Sequence, residues 1–227
     1  MIYIVIPTYN SPYIEEVVNN VTRFSYKVIV IDDGSNIPIK LKNTNIEIIR
    51  HDINLGKGAA ILTGAKRVKE LGGKFFVTMD ADKQHIASEI KKLIDAYKDG
   101  TIVIGNRNFN TETVPQSSKF GRKFSNFWVK IETFLSLGDT QSGFRIYPIS
   151  ILDLPLKKKR FDFEIEVLAL YVYNGGKIVD VDVECYYPPT EERVSHFDKL
   201  YDNIRLSITH TRLIFQRYLL LRGWLWK

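Results

Sequence analysis

The sequence has a single cysteine, Cys185, which excludes an intramolecular disulfide and any zinc site built from several cysteines. Such scarcity is typical of proteins from reducing compartments. From Met1 the chain runs directly into an apolar, strand-like stretch, with no basic leader before it and no small-residue cleavage site after it. We therefore expect no signal peptide, and a protein located in the cytoplasm or peripherally on the cytoplasmic face of a membrane.

Long apolar runs are absent from the C-terminal stretch. Lys199–Lys227 contains no apolar segment near the 18 residues needed to span a bilayer. It does interleave arginines with bulky apolar side chains, and Trp224 and Trp226 stand near its end. A basic, aromatic-rich amphipathic helix of this kind can lie in the membrane interface. Packing of the helix on its own domain, or on a partner in a homo-oligomer, is an equal alternative.

Length and charge limit the remaining classes. The 227 residues carry a net charge of +6, with 44% hydrophobic and 26% charged residues, which predicts one globular domain over residues 1–197 and a helical arm over 198–227. The positive charge fits scattered surface lysines or contact with an anionic bilayer. We expect no nucleic-acid partner, because the basic residues alternate with Leu and Trp instead of forming a groove pattern.

Short apolar runs alternate with helical patterns through the first hundred residues. A continuous run such as Val28–Ile31 is typical of a parallel strand covered on both faces. The predicted strands are Ile2–Pro7, Lys27–Asp32, Ile46–Arg50, Lys74–Asp80 and Thr101–Gly105, and the predicted helices between them are Pro12–Phe24, Leu55–Leu71 and Ala87–Tyr97. This alternation predicts a doubly wound α/β sheet.

The pattern changes after residue 106. Here we expect a polar loop over Asn106–Lys119, a helix over Lys119–Leu137, a helix over Phe163–Tyr173, a strand over Lys177–Tyr186 and a last helix from Asp198 to Leu221.

Polar, turn-compatible groups follow all five of the first predicted strands. In open α/β sheets, ligands bind beyond the carboxyl ends of the strands. The five segments are Pro7–Asn10, Asp32–Ser35, Asn54–Ala60, Asp80–His85 and Gly105–Arg107. They predict one continuous site along a single edge of the sheet.

Asp80 and Asp82 leave a strand one residue apart, so their carboxylates can converge on one hard divalent cation. Such a cation neutralises the charge that develops on a nucleoside diphosphate leaving group. Gln84 offers an amide oxygen as a further ligand. A pair of aspartates at this spacing also occurs in surface turns and helix caps, but its position after the apolar run Phe75–Met79 favours the metal site.

Two other strand ends have both a structural and a functional interpretation. Asp33 belongs to an Asp-Asp-Gly-Ser segment, which predicts either an Asx turn or a carboxylate that binds a base or ribose. Asn54–Ala60 predicts either a plain helix start or a site in which Lys57 and backbone N–H groups face phosphates or a base.

Taken in order, these segments resemble the family 2 inverting glycosyltransferases, and more closely the polyprenyl-phosphate sugar synthases, such as the dolichyl-phosphate mannose and glucose synthases. The resemblance covers residues 2–195 and includes Asp139–Arg145. It implies a GT-A fold, a nucleoside-diphosphate sugar donor, Mg²⁺ or Mn²⁺ as the cofactor and a lipid phosphate as the acceptor.

The resemblance also implies roles on the donor side. They fall to Pro7, Tyr9 and Asp33 for the base and ribose, and to Asp80, Asp82 and Gln84 for the metal. We also count Lys57 and Asp80 among the donor-binding residues. The sequence departs from the pattern at Ser11, where many relatives have Glu, and at Lys83, where they often have Gly. Neither departure removes a metal ligand.

On the acceptor side, the resemblance implies that Arg107 and Arg122 face the donor and acceptor phosphates. Asp139 either orients the attacking group or acts as a base. Arg193 and His196 close over the pyrophosphate as a lid, with a plain surface histidine as the alternative for His196.

Four other functions compete with this interpretation. A nucleotidyltransferase needs a glycine-rich loop after its first strand, yet no glycine precedes Gly34. A haloacid-dehalogenase-like phosphatase has Thr or Val where Gln84 stands. A non-catalytic membrane adaptor with a transferase fold is disfavoured by the presence of Asp80, Asp82 and Arg107. Transfer to a soluble sugar acceptor stays open.

Overall fold

The computed structural model describes residues 1–41, 46–108, 114, 116–187 and 201–225, with only the backbone of Ser117 and of residues 220–225. The strands are β1 (Tyr3–Thr8), β2 (Lys27–Asp32), β3 (Ile46–Arg50), β4 (Phe75–Thr78), β5 (Thr101–Arg107), β6 (Arg145–Pro148) and β7 (Lys177–Val183). The helices are α1 (Ile14–Thr22), α2 (Lys57–Glu70), α3 (Ile90–Ala96), α4 (Gln116–Thr133), α5 (Phe163–Tyr173) and α6 (Tyr201–Leu225). Short 3₁₀ turns cover Ala87–Glu89 and Ile149–Asp153.

The strands form one mixed sheet in the order β3-β2-β1-β4-β6-β5-β7. Every pairing is parallel except those of β6, which runs antiparallel to both β4 and β5. The predicted α/β class and the five N-terminal strands are confirmed. β6 was not predicted, because four residues that begin with Arg145 and end with Pro148 do not form a continuous apolar run.

Helices cover both faces of the sheet, as the apolar strands require. One core lies under α1 and α3, where Val17, Val18 and Leu93 meet the sheet. The other lies under α2 and α5 and also takes in Val129 of α4 and Leu213 of α6. All residues of β1 are buried between these two cores. Polar groups can therefore reach the surface only beyond the ends of this strand.

Some predicted boundaries were wrong. Residues 116–119, predicted as loop, form the first turn of α4, and that helix ends at Thr133, before the predicted Leu137. α6 continues through Gly223 instead of ending at Leu221. β7 ends at Val183. β5 continues through Arg107, the second residue of the predicted loop. Residues 109–113 and 115 of that loop and the predicted start of the last helix at Asp198 lie outside the described residues.

The C-terminal arm packs on the domain. Leu206 and Leu213 of α6 are buried in the core, and the Tyr173 hydroxyl donates to the Leu213 carbonyl at 3.0 Å. His210 Nδ1 lies 2.7 Å from Glu132 Oε1 on α4, and both side chains are buried. The inner face of the arm is therefore covered by its own chain. Within the described ranges, no helix is both long and apolar enough to cross a membrane.

Candidate active site

A cavity of about 510 Å³ opens at the carboxyl ends of β1, β2 and β4. It is lined by Pro7, Thr8, Tyr9, Ser11, Asp33, Asn54, Gly56, Lys57, Ala60, Asp80, Ala81, Asp82, Arg160 and Phe161. The structure thus brings six of the sequence-predicted donor and metal residues together from four separate segments. Gln84 is not among the lining residues. Arg193 and His196 lie outside the described residues, so their lid role stays a prediction.

Lys57 lies between two carboxylates at the base of this cavity. Its Nζ is 2.6 Å from Asp80 Oδ1 and 2.8 Å from Oε1 of Glu164, on α5. Burial opposes ionisation of Lys57 and Asp80, yet the Lys57 ammonium lowers the pKa of Asp80 to about 2, and the two carboxylates raise the pKa of Lys57. The charge of Lys57 is therefore permanent, and its position is set from two sides.

Glu164 was not predicted as part of the site. It belongs to α5, a helix of high mean hydropathy in which Glu164 and Glu166 are both buried. Buried carboxylates in an apolar helix need partners. The occurrence of Glu164 in an otherwise apolar helix could therefore have indicated a buried, paired carboxylate. The sequence does not show that its partner is Lys57.

Asp82 lies beside this cluster without a comparable cationic contact among the ion pairs of the described residues. Burial and the nearby Asp80 carboxylate raise the pKa of Asp82 to about 6. Its Oδ1 accepts the Gln84 backbone N–H at 3.0 Å. Two neighbouring, half-buried carboxylates that line the same cavity suit a hard divalent cation. In the part of the chain that the structure describes, no group of three or more His, Cys, Asp or Glu side chains can hold a metal, so the pair would supply only part of a coordination shell.

Gly143 packs closely against Asp80 and Lys57. A Cβ at this position would lie 2.6 Å from both Asp80 Oδ1 and Lys57 Nζ, so no larger residue fits without moving the pair. The segment around Gly143 is held by Thr78, whose hydroxyl donates to the Gly143 carbonyl at 2.7 Å. The predicted segment Asp139–Arg145 therefore packs directly behind the aspartates.

Asp33 organises the turn that leads into α2. Its carboxylate accepts the backbone N–H groups of Leu55 and Gly56 at 2.9 and 2.7 Å and lies 2.7 Å from His51 Nδ1. Because a carboxylate only accepts hydrogen bonds, His51 Nδ1 is the donor to Asp33, and His51 Nε2 lies 2.9 Å from the Thr63 hydroxyl. Asp33 therefore lines the cavity while its oxygens also fix the β3–α2 turn.

A second cluster lies at the end of β5. Arg107 contacts both oxygens of Asp139, with Nε to Oδ2 at 2.6 Å and Nη2 to Oδ1 at 3.2 Å, and the Asp139 side chain is fully buried. Arg122, on α4, donates to the carbonyls of Gly138 and Arg107 at 2.6 and 2.7 Å and also contacts Asn106. The cluster ties α4 to the sheet edge and keeps Asp139 beneath Arg107.

His85 joins the two regions. Its Nδ1 accepts the Asp80 backbone N–H at 3.1 Å, and its ring stacks on Phe144 with 4.9 Å between centroids. Burial lowers the pKa of His85 to about 4, so the ring is neutral at pH 7. His85 positions the start of the Asp80–Asp82 turn. The sequence placed it in the segment but assigned it no role.

The family model for glycosyl transferase family 2 matches residues 3–153 of this chain. A UDP-N-acetylglucosamine–dolichyl-phosphate N-acetylglucosaminyltransferase from Methanococcus voltae is 30% identical, and the match covers 82% of this chain and 86% of that protein. An undecaprenyl-phosphate mannosyltransferase from Micrococcus luteus is 25% identical, with 79% of this chain and 81% of that protein covered.

Solved structures show the same architecture. Glucosyl-3-phosphoglycerate synthase from Mycobacterium tuberculosis, in complex with Mn²⁺, uridine-diphosphate and phosphoglyceric acid, superposes with a TM-score of 0.65 at 14% identity, covering 96% of this chain and 78% of that one. Mannosyl-3-phosphoglycerate synthase from Rubrobacter xylanophilus gives the same TM-score and identity, with 96% and 73% covered. These likenesses confirm the GT-A fold. Since the family model spans most of the sheet and both aspartates, the chain belongs to glycosyl transferase family 2 and is a glycosyltransferase.

Proposed function

We propose that this glycosyltransferase moves a sugar, with inversion, from a nucleoside-diphosphate sugar to a polyprenyl phosphate or another lipid-linked acceptor. The observation that carries the proposal is the half-buried pair Asp80 and Asp82, which lines a cavity of about 510 Å³. A cavity of this size suits a ligand as large as a nucleotide sugar. The names of the Methanococcus voltae and Micrococcus luteus relatives assign them polyprenyl-type phosphate substrates, which supports the acceptor class.

Mg²⁺ or Mn²⁺ fits the residues present, because the crowding that raises the pKa of Asp82 is relieved by a positive charge. Asp80 and Asp82 would hold the ion, with Gln84 as a further candidate. The bound ion supplies a counter-charge for the departing nucleoside diphosphate. Lys57 places a second positive charge on the same wall of the cavity and is prevented from leaving by Glu164.

The base and ribose of the donor would lie against Pro7, Tyr9 and Asp33, which line the other side of the cavity. Each Asp33 oxygen can accept two hydrogen bonds. Oδ2 accepts the Gly56 backbone N–H, which leaves room for one donor from the nucleotide. The β3–α2 turn is thereby ordered before the donor binds. Arg193 stays our proposed lid residue for the pyrophosphate.

The acceptor side supports a phosphate nucleophile. A phosphate monoester has a second pKa of about 6, so it is largely dianionic at pH 7 and needs no base to remove a proton. Asp139 is buried with both oxygens on Arg107, an arrangement suited to holding the guanidinium in place. We therefore assign Asp139 an orienting role and Arg107 and Arg122 the recognition of phosphate. A sugar hydroxyl acceptor would instead require Asp139 to leave Arg107 and act as a base.

Transfer from UDP- and GDP-sugars to a polyprenyl phosphate, measured with and without Mn²⁺, tests this function. We expect Asp82→Asn to abolish transfer with the melting temperature preserved, because the cation loses a charged ligand. The matched control is Asp95→Asn, which removes an exposed carboxylate on α3 whose partner is Lys91. Near-normal turnover of Asp82→Asn at saturating donor would overturn the proposal.

A further inference from the structure

One face of α4 is apolar and open to solvent. Phe120, Phe124, Phe127, Ile131 and Phe134 recur every three or four residues and are 70, 40, 57, 40 and 65% exposed. We call these five residues the aromatic face. They run along about 21 Å, at 1.5 Å per residue. The core is contacted by the other side of the helix, where Ser125, Val129 and Glu132 are buried, so the aromatic face contributes little to the packing of the domain.

Phe134 has an unfavourable backbone conformation. It follows the last residue of α4 with a φ of 63°, in the left-handed region where glycine is the usual helix-ending residue. A residue with a Cβ is strained there. Even so, this position carries a large aromatic ring that is mostly exposed and that Arg217 contacts with 5.1 Å from its guanidinium to the ring centroid. Such strain at an exposed aromatic side chain points to a use outside the fold.

α6 adjoins this surface. The Phe124 ring lies 6.4 Å from the ring of His210, and Arg217 of α6 contacts Phe134. The outer side of α6 carries further exposed apolar side chains, namely Tyr201, Ile204, Ile208, Phe215 and Leu219. Contiguous apolar exposure over two neighbouring helices is uncommon on a protein without a partner.

We propose that the aromatic face is the surface by which this enzyme lies on an anionic lipid bilayer. Lys123 and Lys130 are exposed and directly precede Phe124 and Ile131, which places them along one edge of the aromatic face. An apolar, aromatic stripe bordered by lysines is the pattern of helices that lie in the membrane interface. The net charge of +6 adds attraction to anionic headgroups.

The same charges disfavour a second copy of the chain as the occupant. A twofold dimer in which the two α4 helices pack antiparallel through the aromatic face would bring Lys123 and Lys130 of each copy toward the lysines of the other. Like charges at an interface oppose association. Anionic headgroups complement them instead.

The position of α4 connects this surface to the chemistry, and here the inference rests on the proposed lipid acceptor. Arg122 follows Phe120 by two residues and bonds to the carbonyls of Gly138 and Arg107. Two residues correspond to about 200° around the helix axis, so the Arg107–Arg122 cluster lies on the inward side of α4, one helix diameter (~10 Å) from a bilayer that contacts the aromatic face. Lipid phosphates are at headgroup level, so docking brings the acceptor to the end of the site that α4 borders. The membrane contact expected from the C-terminal stretch Lys199–Lys227 is thereby assigned mainly to α4.

Co-sedimentation of the full chain with phosphatidylcholine vesicles, with and without phosphatidylglycerol, tests the surface. Phe120→Ser with Phe127→Ser should weaken binding to the anionic vesicles by roughly tenfold or more, since two rings that the bilayer would bury are lost. Ile37→Ser with Leu71→Ser is the matched control, because these apolar side chains are exposed away from α4, and it should bind normally. Equal binding by both double variants would overturn the inference.

The charge component has its own pair of variants. Lys123→Glu with Lys130→Glu should weaken binding to phosphatidylglycerol vesicles more than Lys66→Glu with Lys69→Glu, which changes net charge equally on the exposed side of α2. Equal effects of the two double variants would show that only the net charge of the protein matters. That result would contradict a contact through α4. Sedimentation analysis adds a further check, because a dimer that dissociates in the phenylalanine variant would identify a second copy as the occupant and overturn the proposal.

Failure of this inference is distinguishable from failure of the proposed function. Transfer to a polyprenyl phosphate dissolved in detergent does not need vesicles, so it should survive Phe120→Ser with Phe127→Ser. If the phenylalanine variant bound vesicles normally and transfer in detergent were also normal, the membrane inference would fail and the proposed function would be retained. If the protein bound vesicles through α4 but transferred no sugar to a polyprenyl phosphate, the membrane inference would be retained and the proposed function would fail.

Discussion

Lys57 neutralises the buried Glu164 and the half-buried Asp80 at once, and this arrangement makes a measurable prediction about stability. Lys57→Met leaves Asp80 and Glu164 without the ammonium group that lies 2.6 and 2.8 Å from them. Removing one partner of a buried ion pair costs about 3–5 kcal/mol, because the remaining charge is uncompensated. We therefore expect a loss of this size in the free energy of unfolding at pH 7, and a rise of the Asp80 pKa from about 2.

Glu164→Gln should cost less. Lys57 keeps Asp80 as its partner, so no charge is left alone, and the loss is that of one charged hydrogen bond, about 1.5–3 kcal/mol. In the Lys57→Met background the same change has a different effect, because it removes an uncompensated carboxylate. The double variant should therefore be more stable than the sum of the single losses predicts, with a coupling energy of about 1–3 kcal/mol.

Urea unfolding of the metal-free protein, followed by circular dichroism, measures these values. Lys66→Met is the control, since Lys66 is exposed on the same helix, and it should stay within about 0.5 kcal/mol of the wild type. Losses from Lys57→Met and Glu164→Gln that add within about 0.5 kcal/mol would refute the reasoning, because independent sites behave that way.

Three further outcomes follow from the site. Asp33→Ala should weaken nucleoside-diphosphate binding by about 1–3 kcal/mol in calorimetry, since the β3–α2 turn loses its acceptor, and an unchanged affinity would contradict this. Gly143→Ala should destabilise the fold by about 1–3 kcal/mol, because the added Cβ contacts Asp80. Gly121→Ala should not, because its Cβ would come no closer than 3.5 Å to a described group outside its own helix. Equal melting temperatures of the two variants would refute the close packing at Gly143. Burial opposes ionisation of Asp32, but hydrogen bonds from Ser35 and Arg50 lower its pKa below 3.8, so its contribution to stability is present above pH 3.8 and is lost as the pH falls through the folded value. Unfolding titrations should show the destabilisation by Asp32→Asn shrinking below pH 4, and a constant difference would be inconsistent with the shift.

The sheet edge was predictable from local pattern. Continuous apolar runs specify buried strands, and the carboxyl ends of parallel strands point to the same edge. For that reason the segments after β1, β2 and β4 could be assigned to one place from the pattern of the sequence alone, and Tyr9, Asp33, Lys57, Asp80 and Asp82 indeed line one cavity. The roles of these residues toward a donor remain predictions. β6 shows the limit of pattern, because its place between β4 and β5 is stabilised by pairing with strands distant in the chain.

Which charged side chains pair with each other was decided only by the tertiary structure. Nothing in the sequence around Lys57 indicates that Glu164 approaches it, or that Asp139 is held by Arg107, because such contacts depend on how α5 and the β5 end pack against the sheet. The same holds for surfaces. The spacing of Phe120, Phe124 and Phe127 is visible in the sequence, but an apolar stripe on a helix normally faces the core. Here the opposite side of α4 faces the core, and the phenylalanines are exposed. That orientation of the helix is known only from its packing in the tertiary structure.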